Sequence, residues 1–142
     1  MKKIIPVLLA LLTLSSCAQR VKAPDLNESF NVNAVYKSGD YSYACKIVKD
    51  KNGVSITPTS TNAAGMRIYC NGKTVEFTYG DFKKISDINK LDKTNPAIIL
   101  YEVFFSGASS GNTSVGSITL KSENGLPVNI EIPDADITLS FN

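Results

Sequence analysis

The sequence predicts a mainly β or α+β domain. Its sheet is a curved antiparallel sheet or incomplete barrel of seven or eight strands, with a short helical insertion. Three observations carry this. Apolar residues alternate with a period of two through most of the chain. Asn-Gly dipeptides at Asn52-Gly53, Asn71-Gly72 and Asn124-Gly125 mark hairpin turns between the alternating runs. One nearly unbroken apolar run, Ile98 to Phe105, follows Asn95-Pro96 and breaks the period.

The first alternating run places Tyr41, Tyr43, Cys45 and Ile47 on one face, with Ser42, Ala44 and Lys46 opposite. Val54 and Ile56 follow the first Asn-Gly turn, and Pro58 limits their strand. Met66, Ile68 and Cys70 alternate next, then Val75, Phe77 and Tyr79, with Gly80-Asp81 ending the strand. This reads as a four-strand meander. Residues 83–93 carry Ile85, Ile88 and Leu91 at a spacing of three, which predicts a short helix or helical turn.

For residues 96–106, Asn95 resembles an N-cap, Pro96 suits the first helical position and Gly107 could stop a helix. The run's Ile, Tyr, Val and Phe are strand formers, but caps at both ends favour helix. In either state the run is core. Residues 106–114, rich in Ser, Gly and Asn, read as a loop. Strands resume around Ile118 and Leu120, then Val128, Ile130 and Ile132, and finally Ile137, Leu139 and Phe141, with Asp134-Ala135-Asp136 as a turn.

The start of the chain reads differently. Lys2 and Lys3 precede an apolar stretch from Ile4 to Leu14, which is too short to span a bilayer and has signal-peptide proportions. Leu14-Ser15-Ser16-Cys17 resembles a bacterial lipobox. That resemblance implies an envelope lipoprotein acylated (palmitate) on Cys17, with residues 1–16 as signal peptide. Residues 17–34 are expected to be the lipidated N-terminus and tether, and 35–142 a single β-rich domain, with Val32, Val35 or Tyr36 as candidate starts of the first strand. Ala18 is not the aspartate typical of inner-membrane retention in enteric bacteria, so the implied location is the outer membrane facing the periplasm. The implied membrane partner is reached through acyl chains, each buried CH₂ contributing about 0.8 kcal/mol.

Charge and composition narrow the function. The chain has 142 residues, 15 Lys plus Arg, 13 Asp plus Glu, no His and no Trp. Without histidine there is no His-centred triad and no imidazole metal site. The mature chain has 13 basic and 13 acidic side chains, so nucleic acid is not an expected partner. Residues 18–93 hold 12 basic and 8 acidic groups, whereas 94–142 hold 1 and 5. Asp134 and Asp136 read as a turn rather than a metal site, and Ser106, Ser109 and Ser110 have no base to activate them. No catalytic residue, metal ligand or cofactor is assigned, and no enzymatic activity is expected.

With Cys17 acylated, Cys45 and Cys70 remain. Both fall on core-facing positions of an exported chain, which predicts a disulfide between them. Six tyrosines, at 36, 41, 43, 69, 79 and 101, could line a groove. Arg67, the only arginine in 40–142, is expected on the outer sheet face beside Tyr69 as an interaction anchor, or paired with Glu76 across the Asn71-Gly72 turn.

The order of lipobox, tether, meander, apolar insertion and three final strands resembles the periplasmic lipoprotein carrier and receptor family. Gly53-Val54-Ser55-Ile56-Thr57-Pro58, Gly65-Met66-Arg67-Ile68 and Leu126-Pro127-Val128-Asn129-Ile130 carry that likeness. It implies an incomplete barrel covered by helix, and an apolar or lipid-like ligand with the central segment as a lid. Asn62-Ala63-Ala64-Gly65-Met66-Arg67-Ile68-Tyr69 is also similar, with Ile68 inserted, to the Ser-x-Ala-Ser-Gly-x-Arg-Tyr loop of periplasmic lysozyme inhibitors. The expected function is a non-catalytic envelope binding module for such a ligand. The alternative is recognition of an envelope protein, as in lysozyme inhibition or envelope assembly.

Overall fold

The computed structural model describes residues 26–105 and 111–142. The predicted signal peptide, Cys17, the first part of the tether and Ser106, Ser109 and Ser110 lie outside them. The chain forms β1 (Phe30–Ser38), β2 (Tyr41–Lys49), β3 (Val54–Pro58), β4 (Arg67–Cys70), β5 (Thr74–Tyr79) and β6 (Phe82–Asp87). Then come helix α1 (Pro96–Phe105), the short β7 (Asn112–Thr113) and β8 (Gly116–Ser117), and β9 (Thr119–Glu123), β10 (Leu126–Ile132) and β11 (Ile137–Phe141). Nine strands form one antiparallel sheet in the order β6-β5-β4-β3-β2-β1-β11-β10-β9, and β7 and β8 form a hairpin of their own. The sheet does not close: β6 and β9 are its edges.

The long hairpin β1–β2 is the centre of this arrangement. β1 pairs over its whole length with β2, and its second half pairs with β11, Ala34 opposite Phe141 and Ser38 opposite Ile137. The C-terminal strands are therefore stitched to the first strand, and the meander grows outward in both directions. β1 begins at Phe30, inside the stretch assigned to the tether. Phe30 is buried and makes an edge-to-face contact with Phe104 at 5.3 Å.

Alternation places one face of the sheet in the core. Ala34, Cys45, Ile47, Val54, Ile56, Cys70, Val75, Ile130, Ile132 and Leu139 are all at most 1 % exposed. α1 packs on that face, chiefly over β3 and β4. Asn95 caps it, its Oδ1 accepting the Ala97 N–H at 3.0 Å. The helix is apolar almost all round because it is buried almost all round: Ile98, Ile99, Leu100 and Val103 are 0–1 % exposed. Far from being a lid, it is the middle of the core. Glu102 is its polar exception, and its carboxylate accepts both the N–H and the hydroxyl of Ser114, at 3.0 and 2.8 Å.

Two further expectations are corrected. Residues 82–87 are a strand rather than a helical turn, and only Ile88–Lys90 winds into a 3-10 turn. The strand is an edge with no buried residue, so no core face imprints alternation on its sequence.

Cys45 and Cys70 do not form a disulfide; both are free and buried. They do share the core face, but Cys45 lies opposite Pro58 and Cys70 opposite Val54, at the two ends of β3. Their Cα atoms are thus two strand spacings apart sideways, at about 4.8 Å each, and four residues apart lengthwise, at about 3.4 Å each. The separation of about 17 Å far exceeds the roughly 7 Å that a disulfide tolerates between Cα atoms. Parity is legible in the sequence; the register of β2 and β4 on β3, which puts the cysteines at opposite ends of that strand, is not.

Candidate functional site

The core face of the sheet is buried under α1, and two surface depressions lie at the β9–β10 end of the sheet. β9 and β10 are joined by a two-residue turn in which Asn124 and Gly125 both have positive φ, 52° and 76°. The pairing is regular from Glu131–Thr119 to Asn129–Lys121 and then shifts between Pro127 and Asn129, a β-bulge. The bulge leaves Val128 40 % exposed beside Leu126 at 37 %.

Two depressions meet there, sharing Glu123 and Val128. One, of about 570 Å³, is bounded by Leu120, Lys121, Ser122, Glu123 and Val128. The other, of about 350 Å³, reaches Val32, Leu126, Pro127 and Phe141. Both volumes fall within the range of small-ligand sites, about 300–1,000 Å³. The apolar floor comes from β1, β10 and β11, and the polar rim from Lys121, Ser122, Glu123, Asn124 and Asn142. The groove exists because β11 returns beside β1 and brings Phe141 close to Val32.

The N-terminal lead-in is fixed at the same end. Asn27 donates its backbone N–H to Gly125 O at 2.8 Å. Lys49, buried at the end of β2, donates to Glu28 O at 2.7 Å and lies 4.6 Å from the centre of the Phe105 ring.

Arg67 and Tyr69 sit elsewhere, on the outer face of β4. Arg67 is exposed and its guanidinium lies over the Tyr69 ring, 4.8 Å from its centre. The predicted pairing with Glu76 is absent: Glu76 bridges to Lys83 at 3.4 Å. Tyr69 covers Gly53, where an added Cβ would come within 2.7 Å of the ring, and donates its hydroxyl to Asp50 Oδ1 at 3.4 Å. Burial, then the neighbouring Asp50 charge, push the Tyr69 phenol above its usual range, and Arg67 opposes them.

The tyrosines do not line the groove. Tyr36 and Tyr43 are buried against each other at 5.2 Å, and burial raises both phenols. Tyr101 stacks on Phe105 at 4.6 Å. Asp134 and Asp136 flank the end of a 3-10 turn, with Asp134 accepting the Ser117 N–H at 3.2 Å. Among the described residues no group of three His, Cys, Asp or Glu could hold a metal ion, and no helix is long and apolar enough to cross a membrane.

The sequence placed Val128 and Phe141 on strands and Leu126 at a strand entry, but marked none of them as a site residue. The cue was the Leu126-Pro127-Val128 triplet, in which Pro127 interrupts an alternating strand.

No protein-family model matches the chain, and no curated protein does. The lipoprotein, outer-membrane and carrier assignments made from the sequence therefore have no family match behind them. What stands is a sheet-dominated domain with a packed core and an open apolar groove.

Proposed function

We propose that this domain is a non-catalytic binding module that takes an apolar, lipid-like ligand in the groove at the β9–β10 end. The observation carrying this reading is the joint exposure of Leu126 and Val128 over an apolar floor of Val32, Pro127 and Phe141, within a rim of polar side chains. The rim can hold a headgroup or carboxyl while the floor takes hydrocarbon. Location at the bacterial envelope through acylated Cys17 is part of this proposal and rests on the leader sequence alone.

A titration of the full chain with a dansyl-labelled fatty acid tests the reading. The chain has no tryptophan, so probe emission can be followed against a background of tyrosine alone. Saturable binding, weakened by at least about tenfold in Val128→Asp, is expected. Probe binding unaltered by that substitution would end the proposal.

A second reading, recognition of an envelope protein, is favoured by one observation. Arg67 is exposed, held on Tyr69, and without a carboxylate within ion-pair distance among the described residues. Such an arginine offers a preorganised fork to an acidic partner.

A further inference from the structure

β6 is an exposed edge strand with an unusual sequence. From Phe82 to Asp87 none of its residues is buried, and Phe82 and Ile85 are 60 % and 57 % exposed. A free edge carrying large apolar side chains is a template for further pairing. Three relationships on this edge point to the same partner.

The first is which backbone groups are free. Ile88 donates its N–H to Lys73 O at 3.0 Å, so residues 88 and 73 form a hydrogen-bonded pair. Antiparallel pairs alternate between bonded and non-bonded. Ser86–Val75 and Lys84–Phe77 are therefore bonded, while Asp87–Thr74, Ile85–Glu76 and Lys83–Thr78 are not. The N–H and C=O groups of Lys83, Ile85 and Asp87 thus point away from β5, toward an empty edge.

The second is the side-chain order. Lys83, Ile85 and Asp87 share the outer face, a basic, an apolar and an acidic residue in equal steps. Turned antiparallel on itself about Ile85, this pattern is self-complementary. Lys83 meets Asp87 of the other strand twice, and Ile85 meets its own copy. The third is availability. One carboxylate oxygen of Asp87 accepts the Asn89 N–H at 2.8 Å, which leaves the other for a lysine. Lys83 reaches Glu76 Oε2 of its own chain at 3.4 Å, and an ammonium with three donors can serve that carboxylate and Asp87 of a second copy together.

From these we infer that β6 pairs antiparallel with β6 of a second copy of this chain, centred on Ile85, giving one continuous sheet across a two-fold axis. The inference does not rest on the ligand reading, whose groove lies at the opposite edge of the sheet. Two-fold pairing is the commonest symmetry of homo-oligomers. A register centred on Lys84 instead would set that lysine against itself and leave Asp87 without Lys83. The other edge, β9, offers a shorter run, because its Lys121 and Glu123 lie next to the Asn124-Gly125 turn.

The test is oxidative crosslinking of the full chain in detergent, with Ile85→Cys and Lys84→Cys compared with the parent chain. Cys45 and Cys70 are buried, and the parent controls for Cys17. Ile85→Cys is expected to give a reducible dimer well above the parent, and Lys84→Cys is not. In sedimentation of the otherwise unaltered chain, Lys83→Asp should weaken self-association by about tenfold, and Lys83→Asp with Asp87→Lys should restore it. No dimer from Ile85→Cys, equal crosslinking through Lys84→Cys, or a Lys83→Asp chain that associates like the parent would each overturn the inference.

Discussion

The Lys49 ammonium lies 4.6 Å from the centre of the Phe105 ring while donating to Glu28 O at 2.7 Å. One buried cation thereby joins the end of β2, the last residue of α1 and the segment that leads into β1. It has no carboxylate partner within ion-pair distance among the described residues; two main-chain carbonyls, Glu28 at 2.7 Å and Asn27 at 3.5 Å, and one aromatic face take its place.

Replacing Lys49 tests this clamp. Lys49→Ala should lower stability by about 1–3 kcal/mol, because it removes both the apolar stem and the donor to a carbonyl. Lys49→Met keeps the stem and should lose less. Urea unfolding measures both, and equal midpoints for all three chains would show that the clamp contributes nothing.

The free thiols have a direct chemical signature. In denaturant without reductant, both Cys45 and Cys70 should take up iodoacetamide; in the folded chain neither should react at neutral pH, since both are buried and burial raises both thiol pKa values. Mass spectrometry reads the added groups, and an unreduced, denatured chain protected at both positions would contradict the structure.

Burial pushes the Cys45 thiol up to about 11 from an ordinary value near 9. Between those values the unfolded chain has released a proton that the folded chain still holds, so stability falls as pH rises. The contribution is fully present below about pH 9 and is gone above about pH 11, a loss on the order of 2–3 kcal/mol. Tyr36 and Tyr43, raised in the same direction, extend the decline at higher pH. Denaturant midpoints at stepwise pH check it: Cys45→Ala should flatten the part between pH 9 and 11, and an unchanged slope would refute the assignment.

Gly72 has φ +88°, and a Cβ there would come within 2.5 Å of the Tyr101 ring. Gly72→Ala should therefore cost upwards of about 1 kcal/mol through backbone strain and the clash together. Adding Tyr101→Ala should remove the clash and leave only the backbone part, so the two losses should be less than additive. Additive losses in thermal unfolding would mean that the ring does not press on this turn.

How much was legible follows from where the information lay. α1 was readable because its caps are local: Asn95 and Pro96 adjoin the run they start. The meander β2 to β5 and the strands β9 to β11 were readable because each buries one face and so alternates. β6 was hidden because it buries nothing; a first strand from Val32 onward was legible, but its start at Phe30 was not, because Phe30 shows its role only once Phe104 is beside it. The disulfide expectation failed on register, which depends on how strands align across β3. The groove depends on a bulge at Pro127 and on β11 returning to β1, a pairing between the two ends of the domain.

The central claim is that the β9–β10 end is where this domain meets its ligand. The most direct measurement is a map of amide chemical shifts in the full chain as a soluble fatty acid is added. Progressive, saturable shifts are expected at Val32, Leu126, Val128 and Phe141, with Arg67, Tyr69 and the β6 strand unmoved. Shifts centred on Arg67 and Tyr69, or no saturable shifts around Val128, would contradict it.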